Sequence, residues 1–94
     1  MFDITRDSDG TLVLAGRLDA AAADRAREAL RNVDGTCLLD CTGLDYIASA
    51  GLGLLAATQR RLLDQGGELV LAGLNPHLRE VFRLSGFESV FRLE

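Results

Sequence analysis

Phe2-Asp3-Ile4-Thr5 alternates apolar and polar residues, the period of a strand with one buried face. Asp7-Ser8-Asp9-Gly10 is a turn cluster, and Thr11 to Ala15 resumes the strand pattern, which predicts a hairpin ended by Gly16. From about Ala20 to Asn32 the period becomes helical. Ala22, Ala26, Ala29, Leu30 and Val33 share one face, while Asp24, Arg27, Glu28 and Arg31 face water. Asp19 is placed to cap this helix, and its alanines make it slim enough to lie close to a sheet. Asp34-Gly35 stops it, Cys37 to Cys41 reads as a short buried strand, and Thr42-Gly43 turns the chain.

A second helix follows over about Ser49 to Gln65, with Ser49 as an N-cap residue type. Leu52, Leu55, Ala56, Gln59, Leu62 and Leu63 form its inward stripe; Ala50, Leu54, Ala57, Arg61 and Asp64 lie opposite. Leu54 is apolar on the outward side. Another helix covers it, or it is a lone exposed leucine, or it joins Gly53 in a docking surface. Gly66-Gly67 ends the helix, and Glu68 to Ala72 is a further strand. Asn75-Pro76 starts a third helix, with Leu78, Val81, Phe82 and Ser85 on one side and Gly86 at its stop. Phe87 to Leu93 is a short terminal strand or an extended tail. The order β-β-α-β-α-β-α-β describes an α/β domain, a mixed sheet with helices packed on it and right-handed crossovers onto parallel neighbours. Leu39, Leu55, Val70 and Phe82 are expected in one core.

The 94 residues suit a single domain spanning 1–94, because a chain of this size builds one core. No window approaches the roughly 18 apolar residues of a membrane span, and Met1-Phe2-Asp3-Ile4 does not begin a secretory signal. A cytoplasmic protein without membrane insertion is the expectation. The net charge is −4, and the ten basic residues are all arginine. No basic stripe is wide enough for nucleic acid, and a chain without lysine has no P-loop. Cys37 and Cys41, four residues apart on an extended strand, have Cα atoms roughly 13 Å apart. A disulfide needs about 7 Å or less, so both read as small buried hydrophobes.

Catalysis lacks its parts. Ser49 has no Gly-x-Ser-x-Gly elbow, and the one histidine, His77, falls in the first turn of the third helix. Asp19, Asp40 and Asp45 could gather near strand ends, where α/β ligand sites lie, yet each also has a local role as cap, strand end or turn. Gly51-x-Gly53 lacks the third glycine of a dinucleotide fingerprint. The reading is a binding protein rather than an enzyme, with no cofactor and no metal.

One stretch carries more. Tyr46-Ile47-Ala48-Ser49-Ala50-Gly51-Leu52-Gly53, with Ala15-Gly16-Arg17-Leu18-Asp19 before the first helix and Leu84-Ser85-Gly86-Phe87 near the end, resembles the STAS domain of bacterial anti-sigma-factor antagonists. The family's switch loop reads aromatic-aliphatic-Asp-Ser-Ser/Thr/Ala-Gly-Leu-Gly, with its first Ser phosphorylated. The resemblance implies the STAS fold and places the phospho-acceptor at Ser49. It implies partner contacts at Gly16, Arg17, Leu18 and Asp19, and at Asp45, Tyr46, Ile47, Ala48, Ser49, Ala50, Gly51, Leu52, Gly53 and Leu54. The implied partner is an anti-sigma factor that is also a serine kinase, whose capture frees a sigma factor; a serine phosphatase would reset the switch. The same resemblance admits a STAS accessory subunit of a lipid-trafficking ABC transporter, or a component of a stress-sensing assembly. Two departures stand out. Ala48 replaces the family's Asp, and the family's usual C-terminal helix has no counterpart in these residues.

Overall fold

The expected hairpin forms from β1 (Phe2–Arg6) and β2 (Leu12–Leu18), antiparallel with Phe2 opposite Gly16 and Arg6 opposite Leu12. Its turn is held by the Asp7 carboxylate, which accepts from the Asp9 and Thr11 N–H groups at 3.2 and 3.1 Å. This computed structural model describes residues 1–94. The remaining elements are α1 (Ala23–Leu30), β3 (Thr36–Ile47), α2 (Ser49–Asp64), β4 (Glu68–Ala72), α3 (Pro76–Leu84) and β5 (Arg92–Leu93). The five strands lie in the order β1-β2-β3-β4-β5, and each pair after the first is parallel. Successive right-handed crossovers that step the same way along a sheet bring their helices to one face. Strand alternation agrees: Cys37, Leu39 and Cys41 are buried, while Leu38 between them is 37% exposed.

Two strands outrun their expected ends. Gly16 does not stop β2. It adopts φ +87° inside the strand, where the register to β3 shifts, and the chain stays extended to Leu18. A Cβ there would stand 2.0 Å from the Met1 carbonyl oxygen, so the bulge requires glycine. Thr42-Gly43 likewise is no turn, because β3 runs on to Ile47. Asp40 accepts the Thr42 N–H at 3.0 Å where the register to β2 shifts, and β2 supplies a ladder beyond it, with Gly16 opposite Leu44 and Leu18 opposite Ile47.

The helices also shift. α1 begins at Ala23 and ends at Leu30, three residues later and two earlier than expected. Asp19 caps the turn ahead of it, its carboxylate accepting the Ala22 N–H at 3.0 Å. α3 starts as anticipated, with Asn75 Oδ1 accepting from the Leu78 N–H at 2.8 Å. Ser85, expected on its inner side, is exposed.

One cluster of 23 buried residues fills the space between helices and sheet, and it includes Leu39, Leu55 and Phe82. Val70 stands apart from that cluster. It faces away from its neighbours Leu69 and Leu71 and lies opposite Leu38 in the β3–β4 register. Leu63 is 56% exposed, because it lies past the edge of the buried arc centred on Leu55 and Leu62. Gln59 is 3% exposed and fully paired, accepting from the Leu69 N–H at 2.6 Å and donating to the Val90 carbonyl at 2.9 Å. It ties α2 both to β4 and to the segment before β5. Both cysteines are free and buried.

Candidate functional site

The C-terminal ends of β2 and β3 lie side by side, so the two stretches singled out in the sequence meet in space. Arg17 pairs with Tyr46 and Leu18 with Ile47 along the parallel ladder. The Ala48 N–H then donates to the Leu18 carbonyl at 2.9 Å, fixing the start of α2 against the end of β2. Gly51 sets how close α2 comes. A Cβ at that position would stand 2.8 Å from Leu18 Cγ and 2.9 Å from Ile47 Cγ1.

Ser49 is not the N-cap. Ala48 takes that place in extended conformation (φ −90°, ψ 168°), with no side-chain bond to the helix, and Ser49 is the first helical residue. The first bond onto the cap is from the Leu52 N–H to the Ala48 carbonyl at 3.0 Å, so the N–H groups of Ser49, Ala50 and Gly51 precede the intrahelical ladder. The Ser49 residue is exposed, and its hydroxyl has no capping role. The serine therefore performs no evident structural task at the positive end of a 16-residue helix.

The expected contact residues divide into two groups. Leu18, Ile47, Gly51, Leu52 and Leu54 are buried and hold the site from beneath. Leu54 is covered along the α1–α2 contact, as the first of its three readings has it, and offers 9% of its surface. Arg17, Asp45, Ser49, Ala50 and Gly53 are exposed, and Gly16, Asp19, Tyr46 and Ala48 are half-buried. These nine form the accessible surface of the site. The Arg17 guanidinium stacks on the Tyr46 ring, 4.1 Å from its centroid. Arg17 is also shared by two shallow hollows, one with Asp19 and Arg25 and the other with Asp3 and Asp45.

Sequence reading missed the Arg17–Tyr46 stack, although both residues were singled out, because cross-strand neighbours depend on a register shifted by the bulge at Gly16. No three His, Cys, Asp or Glu side chains gather closely enough to hold a metal ion. Asp40 stands apart from Asp19 and Asp45 in role: hydrogen bonds from Thr42 hold its carboxyl below the ordinary value. No helix is long and apolar enough to cross a membrane.

Residues 2–93 match the family model described as "Mlab, STAS domain". A Bordetella bronchiseptica protein assigned by name to the anti-sigma factor antagonists, BtrV, is 44% identical over 77 residues, or 82% of this chain. The chain spans 63% of that relative's length. The anti-sigma-B factor antagonist of Listeria monocytogenes is 32% identical over 94 residues, covering 95% of this chain and 82% of its own. Among solved structures, the Bacillus cell fate determinant SpoIIAA in its phosphorylated form superposes with a TM-score of 0.70 at 24% identity, over 100% of this chain and 91% of that one. At that identity the likeness speaks for the fold.

Proposed function

The chain belongs to the STAS domain family, and from that premise we propose that it is an anti-sigma factor antagonist switched by phosphorylation of Ser49. It acts in the cytoplasm by binding rather than by catalysis. Its unphosphorylated form captures an anti-sigma factor with serine kinase activity and so releases a sigma factor; a serine phosphatase reverses the modification. The observation that carries this reading is Ser49 itself, an exposed hydroxyl in the first turn of α2 with no capping duty.

A phosphate at Ser49 would add about −1.5 to −2 charges beside N–H groups that precede the helical ladder. Helix N-termini accept anions readily, so the modification leaves the fold standing. Its effect falls on the interface, where Asp19 and Asp45 already supply carboxylates. The test is titration calorimetry against each histidine-kinase-like ATPase encoded in the same genome, with thermal melts of the same samples. Ser49→Ala binds like the wild type and resists inactivation by ATP; Ser49→Asp keeps its melting temperature and binds at least about tenfold more weakly, a loss of about 1.4 kcal/mol. Wild-type affinity in a folded Ser49→Asp refutes the switch.

A second reading has one observation in its favour, the family model's description "Mlab, STAS domain". It makes the chain an accessory subunit of a lipid-trafficking ABC transporter. Co-purification with a permease and its ATPase, and no complex with any kinase-type ATPase, decides for that reading.

A further inference from the structure

We propose that Arg17 and Asp45 fix the orientation of the protein partner, which sets a carboxylate side chain opposite Arg17 and a basic one opposite Asp45. Neither residue enters any ion pair or side-chain hydrogen bond of the chain. Both are exposed, and both line one hollow of about 290 Å³ at the C-terminal ends of β2 and β3. The other carboxylates nearby are taken. Asp3 pairs with Arg25 at 3.6 Å, and Asp19 accepts the Ala22 N–H at 3.0 Å. One free cation and one free anion remain, so this surface selects by the order of two opposite signs and not by net charge.

Tyr46 positions the cation. The Arg17 guanidinium lies 4.1 Å from the centroid of its ring, which covers one flat side of the group. The N–H edge stays open, and that edge is the fork a carboxylate meets with two parallel hydrogen bonds. Because the half-buried ring belongs to β3, the long arginine side chain is ordered before a partner arrives. Part of the entropic cost of binding is thereby removed in advance. Arg6 and Arg60 also lack side-chain partners, but neither belongs to this end of the sheet.

The anion is placed by the backbone. Gly16 opposes Leu44 and Arg17 opposes Tyr46, so Asp45 is the extra residue of a bulge. Such a residue leaves the ladder, and its side chain is re-aimed. The same irregularity therefore sets Arg17 against Tyr46 and turns Asp45 out beside them.

The proposal rests on the reading of Ser49 as the edge of a partner interface, and it states what that partner carries. Ser49 lies three residues beyond Tyr46, and the Ala48 N–H is bonded to the carbonyl of Leu18, the residue after Arg17. A phosphate on Ser49 would add a second anion beside the carboxylate seated on Arg17 and repel it.

The experiment is titration calorimetry against each histidine-kinase-like ATPase of the same genome, using variants shown to be folded by circular dichroism. Arg17→Gln and Asp45→Asn are each expected to bind about tenfold more weakly than the wild type. The exchange variant Arg17→Asp/Asp45→Arg keeps the net charge of −4, yet is expected to bind more weakly than either, because each charge then meets its like. Tyr46→Leu is expected to lose about threefold, and Tyr46→Phe, which keeps the ring, to recover it. Unchanged affinity in Arg17→Gln or in Asp45→Asn overturns the proposal. So does wild-type affinity in the exchange variant, which would leave only net charge at work. Tyr46 is the one tyrosine of a chain without tryptophan, so its emission reports the stack. Identical emission from the wild type and Arg17→Gln overturns the positioning of Arg17 and the proposal with it. If the variants lose binding while Ser49→Asp binds like the wild type, the charge pair stands and the switch reading fails. If Ser49→Asp alone loses binding, the switch stands and the charge pair fails; if no ATPase binds the wild type, both fail.

Discussion

Ala48→Asp restores a side-chain cap to α2, and its consequences can be worked out from the geometry. Ala48 already has the extended backbone of an N-cap (φ −90°, ψ 168°), so aspartate needs no rearrangement to reach the N–H of Ala50 or Gly51. Alanine is among the poorest residues at this position, and an Asp cap is worth about 1 kcal/mol more. The carboxylate also meets the positive helix end, which adds roughly 0.3–1 kcal/mol. For a domain of this size 1 kcal/mol corresponds to about 4–8 °C in melting temperature. Ala48→Ser should deliver the hydrogen bond without the charge and so fall between the two.

Linkage fixes how the gain varies with pH. A capping carboxylate has its pKa depressed on folding, so its contribution is full above the unfolded value of about 3.9 and disappears as pH falls through the lower folded value. Urea denaturation of wild type, Ala48→Asp and Ala48→Ser at pH 7 and near pH 3 measures both effects. Function is affected as well. The introduced carboxylate would occupy the N–H groups that a Ser49 phosphate needs, so phosphorylation should stabilise the wild type more than Ala48→Asp. Unchanged or lowered stability in both variants at pH 7 refutes the assignment of Ala48 as an empty cap. The family Asp is also expected to help orient the serine or its partner's metal, which predicts slower phosphorylation of the wild type than of Ala48→Asp by the same kinase.

Gly53→Ala should stabilise by about 0.5–1 kcal/mol in thermal melts, because a Cβ there meets nothing within 4 Å and helix propensity improves. Gly51→Ala should lose that gain to overpacking of about 1–3 kcal/mol against Leu18 and Ile47; equal stabilities of the two variants would contradict the close approach of α2. Leu39→Ala should cost about 2–5 kcal/mol in urea, while Leu38→Ala on the open face of β3 should cost much less. Burial, with the Asp40 charge beside it, pushes the Cys41 thiol from 9.0 up to about 12. Its contribution to stability is therefore full below pH 9 and is lost towards pH 12, and iodoacetamide at pH 8 should label Cys41 only in the unfolded chain.

Local signals read correctly wherever the causes were local. The Asp7–Gly10 turn, the Asn75 cap and the alanine face of α1 each depend on residues within a few positions of one another. The departures share one physical origin, a partner distant in sequence. Gly16 reads as a stop until Met1 and β3 supply bonds on both sides of its bulge. Thr42-Gly43 reads as a turn until β2 offers a ladder beyond it. Leu54 reads as outward-facing until α1 covers it, and Arg61 as a solvent residue until the end of α1 provides two carbonyls. Within the site, Ser49 was legible as the start of a helix, but its exact rung was not. An extended Ala48 and a serine cap give the same residue pattern and differ only in backbone angles.

That one-residue difference bears directly on how a modification could act. A serine at the N-cap spends its oxygen on the helix, and phosphorylating it would exchange one cap for another. At the first helical position, the Ser49 hydroxyl carries no such bond and the cap beside it is an alanine. Beneath it, the buried Leu18, Ile47 and Gly51 lock α2 to the sheet without help from the serine, through contacts no surface charge disturbs. Under the proposed switch, stability and signalling would be carried by different atoms of the same few residues. The apolar contacts fix where the hydroxyl stands, and the exposed surface of Arg17, Asp45, Ser49 and Gly53 is left to respond to charge. A large change in charge at Ser49 can then alter what binds there while the 23-residue core remains as it was.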